Sequence, residues 1–139
     1  MSNPKASGLP KHVLGIALPQ YVFGIQAVPL LASGIYALLC PLDAASLPNS
    51  PLQGVGLGTI QAMSLTTISL GTCQAVASYQ NNIPMMIATI PGRFLAAFVF
   101  WRSGGTWQSA APFEAFMGLL TAGSIWWYYR TSRPARKMD

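Results

Sequence analysis

Long apolar stretches alternate with short polar breaks along this chain. Four stretches, at 16–40, 55–79, 83–101 and 110–129, come close to or exceed the roughly 20 mostly apolar residues that carry a helix across a bilayer core. The breaks between them read PLDAASLPNSPLQG, with three prolines, then QNN, then RSGGTWQS, all rich in turn-forming residues. Inside lipid every backbone N–H and C=O must be paired within its own span, so each stretch predicts a helix. Connections this short make sequential helices antiparallel neighbours. The expected fold is therefore all-α: one membrane domain over 1–139, built as a four-helix bundle.

Composition sharpens this picture. The chain is 139 residues long, 52% hydrophobic and only 8% charged, against about 25% charged in an ordinary soluble domain. A soluble fold of this size needs a charged outer face, and these residues cannot supply one. The charges are also segregated. Lys5 and Lys11 precede the first stretch, and Arg130, Arg133, Arg136, Lys137 and Asp139 follow the last. With four spans both termini share one side, and that side collects the Lys/Arg excess while the other holds only Arg102, so both termini are expected in the cytosol. Trp126, Trp127, Tyr128 and Tyr129 then fall at the inner interface, with Trp101 and Trp107 around an outer loop, where amphipathic rings prefer to lie.

The sequence pI of about 9.6 raises nucleic-acid binding by the basic tail 130–139. Juxtamembrane Lys/Arg are explained by topology and by attraction to anionic lipid, and no recognition motif accompanies them, so no nucleic-acid partner is expected. The first stretch is too long for the apolar region of a secretory signal and is expected to remain as a span. A eukaryotic source would place such a protein in the endoplasmic reticulum or another endomembrane.

Candidate chemistry is sparse. His12 is the single histidine and no Cys-x-x-Cys spacing occurs, so no metal site is expected. Cys40 and Cys73 fall at opposite depths of the first two spans, beyond disulfide reach, and are expected to be free. The second span spreads Thr59, Gln61, Ser64, Thr66, Thr67, Ser69, Thr72, Gln74 and Ser78 around its faces. Either it is the buried centre of the bundle, its hydroxyls bonded to nearby carbonyls, or one face lines a ligand pocket with Gln61 and Gln74 as orienting groups. Gly54 and Gly58 would let a partner helix approach closely. In the first span Pro29 frees the carbonyl of Ile25, predicting a bend that helps enclose a cavity.

The third span holds ATIPGRFLAAF, in which Pro91 removes the N–H that would bond the carbonyl of Ile87 and Arg93 follows at mid-span. An arginine at that depth needs a partner. Glu114 is the candidate: counted from the ends of their spans, the two are offset axially by roughly 6 Å, which two long side chains can bridge. Alternatively Glu114, two residues after Pro112, only complements the positive end of its helix dipole, and Arg93 only satisfies carbonyls freed by the proline kink. Asp43 reads as a solvated loop residue. With no phosphate-cradling loop, metal set, dinucleotide fingerprint or cofactor expected, the remaining chemistry is acid–base catalysis. Glu114 would protonate an epoxide, olefin or carbonyl while Arg93 stabilises developing negative charge and Trp107 contributes to the ligand site. Such a site suits a cofactor-free isomerase or cyclase acting on a hydrophobic small molecule delivered from the bilayer.

The run IPGRFLAAFVFW, the SGGTWQSAAPFEA loop and the early Glu of the fourth span resemble the small four-span membrane proteins of unknown function common in filamentous fungi. Members of that group are often encoded among specialised-metabolite genes, so the resemblance implies an accessory or tailoring role in making a lipophilic natural product. Two other readings stand beside it. One is a non-catalytic scaffold or subunit that positions a partner membrane enzyme or a second copy. The other is a carrier or channel, against which the scarcity of charged pathway residues argues.

Overall fold

The computed structural model describes residues 12–132, with side chains described from 18 to 131. The basic residues Lys5, Lys11, Arg133, Arg136 and Lys137, on which the expected orientation rests, lie outside the described residues. Within them the chain is all-α. Helix α1 spans His12–Leu39, α2 Pro41–Ser46, α3 Leu57–Tyr79, α4 Ile83–Ser103 and α5 Ala111–Ser132, with a 3-10 helix at Gly105–Ala110 before α5. The four long helices match the four apolar stretches. The short α2 was not expected, and it forms where Pro41 occupies the first helical position, which needs no N–H donor.

Two of the four helices are both long and apolar enough to cross a membrane, Leu18–Leu39 of α1 and Ile83–Ser103 of α4, with mean hydropathies of 1.8 and 1.7. Helices α3 and α5 have comparable lengths of 23 and 22 residues. Their composition is less apolar: α3 carries many hydroxyl and amide side chains, and α5 carries Glu114, Arg130 and a run of Trp and Tyr.

Helix α1 is the centre of the arrangement, packing along α3 on one side and against α5 on another, while α4 packs on α5. The pairs are antiparallel. Along α1 and α3, Gly24 lies opposite Ser78, Leu30 and Leu31 opposite Gly71, and Gly34 opposite Ser64 and Ile68. Glycine at these crossings lets the backbones approach: a Cβ on Gly34 would sit 2.8 Å from the Ile68 side chain and 3.1 Å from its backbone nitrogen. Gly54 and Gly58 do not play this part, because a Cβ at either would meet open space. Helices α1 and α4 continue through Pro19, Pro29 and Pro91 without interruption.

The turn between α3 and α4 is set by Asn81 in the left-handed region, φ 48°, and by Asn82, whose side chain accepts from the Met85 N–H at 3.1 Å and caps α4. At this turn end Phe23, Ala77, Ile83, Met86 and Ile125 form one apolar cluster. A second, of Ala37, Ala44 and Ile60, lies at the opposite end under α2, here termed the cap end.

Beside these clusters, many large apolar side chains face outward while several polar ones are enclosed. Ile25, Leu39 and Leu95 are 69%, 73% and 63% exposed, whereas Gln26, Gln74 and Thr121 are 4%, 2% and 2% exposed. An exterior this rich in large apolar side chains marks a surface of interaction, with a membrane or with another protein.

Candidate functional site

Arg93 and Glu114 meet. The Arg93 Nη1 donates to Glu114 Oε2 at 2.7 Å, with the two side chains 10% and 16% exposed. The local sequence explains the geometry. Arg93 lies on the α4 face that continues Ile83, Met86 and Ile90, which turns it toward α5. Glu114 occupies the first turn of α5, so it complements the helix dipole and pairs with the arginine at once. Gly118, one turn further along α5, leaves room for Arg93, whose Cβ would lie 3.3 Å from a Cβ placed there. The pair is monodentate. Among the described residues the second carboxylate oxygen and the remaining guanidinium N–H groups bond to nothing else in the protein, which leaves one acceptor and several donors uncommitted.

A second polar centre joins α1 to α5 and was not singled out from the sequence. Gln26 Nε2 donates to Thr121 Oγ1 at 3.0 Å and, at longer range, to the Met117 carbonyl at 3.4 Å. The Thr121 hydroxyl donates to that same carbonyl at 2.9 Å, while Ser124 donates to the Thr121 carbonyl at 2.8 Å. No charge and no motif marks this pair, and its partners are separated by 95 positions.

The two glutamines of α3 are not brought together. Gln74 lies on the seam with Gly71, Ala77 and Ser78, and its Oε1 is buried without a partner. Gln61 is exposed at the cap end, beside Cys40, Asp43 and Leu57. Separated by 13 positions, they stand about 140° apart around the helix and about 20 Å apart along it. They therefore cannot orient one ligand between them. Helix α3 is not the buried centre expected for it, since α1 takes that place and Thr59, Gln61, Thr66, Ser69 and Thr72 are exposed, but Ser64, Thr66, Thr67 and Thr72 do each donate to the carbonyl four residues back. Cys40 and Cys73 are both free thiols.

Trp107 lines a cavity of about 330 Å³ at the cap end. The cavity is walled by α1, α3 and the segment 47–52, and Ser33, Tyr36, Leu52, Ser64 and Thr67 line it along with the indole. Trp107 reaches it from the 3-10 helix and is braced by Phe100 of α4, ring centroids 5.1 Å apart and tilted by 33°. The segment over the cavity is held in shape by Ser50, whose hydroxyl donates to the Ala44 carbonyl at 2.8 Å and accepts from the Leu52 N–H at 3.2 Å. Further openings lie on the outer surface, including an apolar groove of about 460 Å³ between α1 and α5 bounded by Leu18, Val22, Phe116, Leu120 and Trp127. Neither Arg93 nor Glu114 lines the cap-end cavity, this groove or the recess around Gln61. Among the described residues no cluster of three or more His, Cys, Asp or Glu side chains is placed to hold a metal ion.

No protein family, curated protein or solved structure matches this chain.

Proposed function

We propose that this chain is a four-span integral membrane protein with cytosolic termini, acting as an accessory or tailoring protein on a lipophilic small molecule in the making of a specialised metabolite. The observation that carries the reading is the part-buried Arg93–Glu114 pair inside a bundle whose exterior is rich in apolar side chains. A charge pair costs too much inside a membrane to persist without a use, structural or chemical. Here the uncommitted carboxylate oxygen and guanidinium N–H groups supply the minimum for proton transfer. Glu114 moves the proton and Arg93 stabilises the negative charge that develops on the substrate. The corresponding activity is a cofactor-free isomerisation or cyclisation.

Two experiments test this. Acceptor sites for glycosylation placed at 47–55 should be modified and those in the tail 130–139 should not, and modification of the tail would overturn the orientation. Metabolite profiling of a deletion strain, followed by assay of the purified protein in nanodiscs with the compound that accumulates, should show conversion that Glu114→Gln and Arg93→Ala abolish. Undiminished conversion in both variants would remove the pair from the chemistry.

A second reading, a scaffold that positions a partner membrane enzyme or a second copy, is favoured by the separation of Arg93 and Glu114 from the cap-end cavity. On that reading the pair only locks α4 to α5, the groove between α1 and α5 takes the partner, and accumulation in the deletion strain is not matched by conversion in nanodiscs.

A further inference from the structure

We infer that the cap-end cavity lined by Trp107 binds a lipophilic alcohol. Arg93 and Glu114 do not line this cavity, so the inference goes beyond the catalytic reading above and names the ligand class of a separate site. The walls are built from Leu52, Ala37, Ala44 and Met63 as well as the ring of Tyr36, so most of what enters must be hydrocarbon. Its serine and threonine hydroxyls have their protons already used, Ser50 on the Ala44 carbonyl among them, while the Tyr36 hydroxyl makes no hydrogen bond among the described residues. Ser33 donates to the Leu30 carbonyl at 3.2 Å, Ser64 to Ile60 at 2.7 Å and Thr67 to Met63 at 2.9 Å. Each hydroxyl has one proton and two lone pairs, so what these side chains offer an occupant is acceptor capacity alone.

Ser64 is 3% exposed, and a ligand that brought only another acceptor to it would leave both oxygens unmatched. An occupant that engages these hydroxyl oxygens must therefore carry a proton to give. The Trp107 indole N–H makes no hydrogen bond among the described residues, and it can only donate, so the same occupant group is best able to accept as well. A hydroxyl does both; an ether or ester oxygen only accepts. A cavity of about 330 Å³ lies at the lower end of the range for small-molecule sites and suits a single slender chain or a small fused ring system. The Ser50 bonds fix the segment 47–52 above it, so the space is shaped by the protein before anything binds.

The test uses the intact chain in nanodiscs and a diazirine-bearing undecanol as photolabel, with undecanol and methyl undecyl ether as competitors. Labelling should saturate, map to peptides containing Met63, Thr67 or Trp107, and be competed about tenfold better by the alcohol than by the ether. The double variant Ser64→Ala/Thr67→Val keeps the helix and the shape of the site while removing two acceptors, and it should abolish the preference for the alcohol. Labelling that rises without saturation, that spreads over lipid-facing positions such as Leu95 and Leu119, or that the two competitors suppress equally in the unaltered chain would overturn the proposal. The readout is binding, so it stands apart from turnover at Glu114.

Discussion

Arg93 of α4 and Glu114 of α5 form a 2.7 Å ion pair across the helix hairpin that their own sequence closes. Each is the other's only protein partner among the described residues. Removing one partner therefore strands the other charge inside the bundle. Glu114→Ala and Arg93→Ala should each destabilise the protein by about 3 kcal/mol or more, whereas Arg93→Met combined with Glu114→Leu should return stability close to that of the parent. Thermal unfolding in detergent, read as a double-mutant cycle, checks the difference.

The Gln26–Thr121 contact predicts an asymmetry. Thr121 keeps its bond to the Met117 carbonyl when Gln26 is lost, so Gln26→Leu should cost about 1 kcal/mol or less. Thr121→Val leaves the Gln26 amide with only the 3.4 Å contact to Met117, and a buried, poorly paired amide should cost about 2 kcal/mol. Equal losses in the two variants would show that the amide finds another partner.

Gln74 points the other way. Its Oε1 is buried without a partner, so Gln74→Met, similar in length and free of polar hydrogens, should stabilise the bundle by about 1 kcal/mol. A loss of stability would reveal an unseen partner for the amide, such as an internal water.

Two classes of glycine should respond oppositely to alanine. At Gly34 the new methyl would meet Ile68 at 2.8 Å and the Ser64 carbonyl at 3.2 Å. Backbone stands behind those atoms, so α1 and α3 must separate, at a cost of about 1–3 kcal/mol. At Gly92 and Gly123 nothing lies within 4 Å, and replacing a mid-helix glycine by alanine should gain about 0.5–1 kcal/mol. Melting temperatures of the three single variants distinguish the classes.

Much of the helical layout was legible because apolar runs and proline- or asparagine-rich breaks mark helix ends directly. The six-residue α2 was not, since PLDAAS between prolines reads as a turn and its helicity depends on packing Ala44 under the cap end. The Arg93–Glu114 pair could be anticipated because two isolated charges in apolar helices have few choices and their depths can be counted. The pairing of Gln26 with Thr121 could not, because uncharged polar residues occur throughout these helices and nothing in the chain says which ones face each other. Gln61 and Gln74 show the opposite error. Helical geometry alone sets them on different faces, so their separation was present in the spacing and a shared composition obscured it.

The central position of α1 also has a consequence for the order in which the molecule is made. Its side toward α3 can be filled as soon as the second long helix emerges, through the glycine crossings at Gly24, Gly34 and Gly71. Its side toward α5 stays open until the last long helix arrives, because the partner of Gln26 is 95 positions downstream. During synthesis the first helix therefore carries an unmatched amide until α5 has been made, and a product truncated before α5 differs from one that contains it by that exposed group.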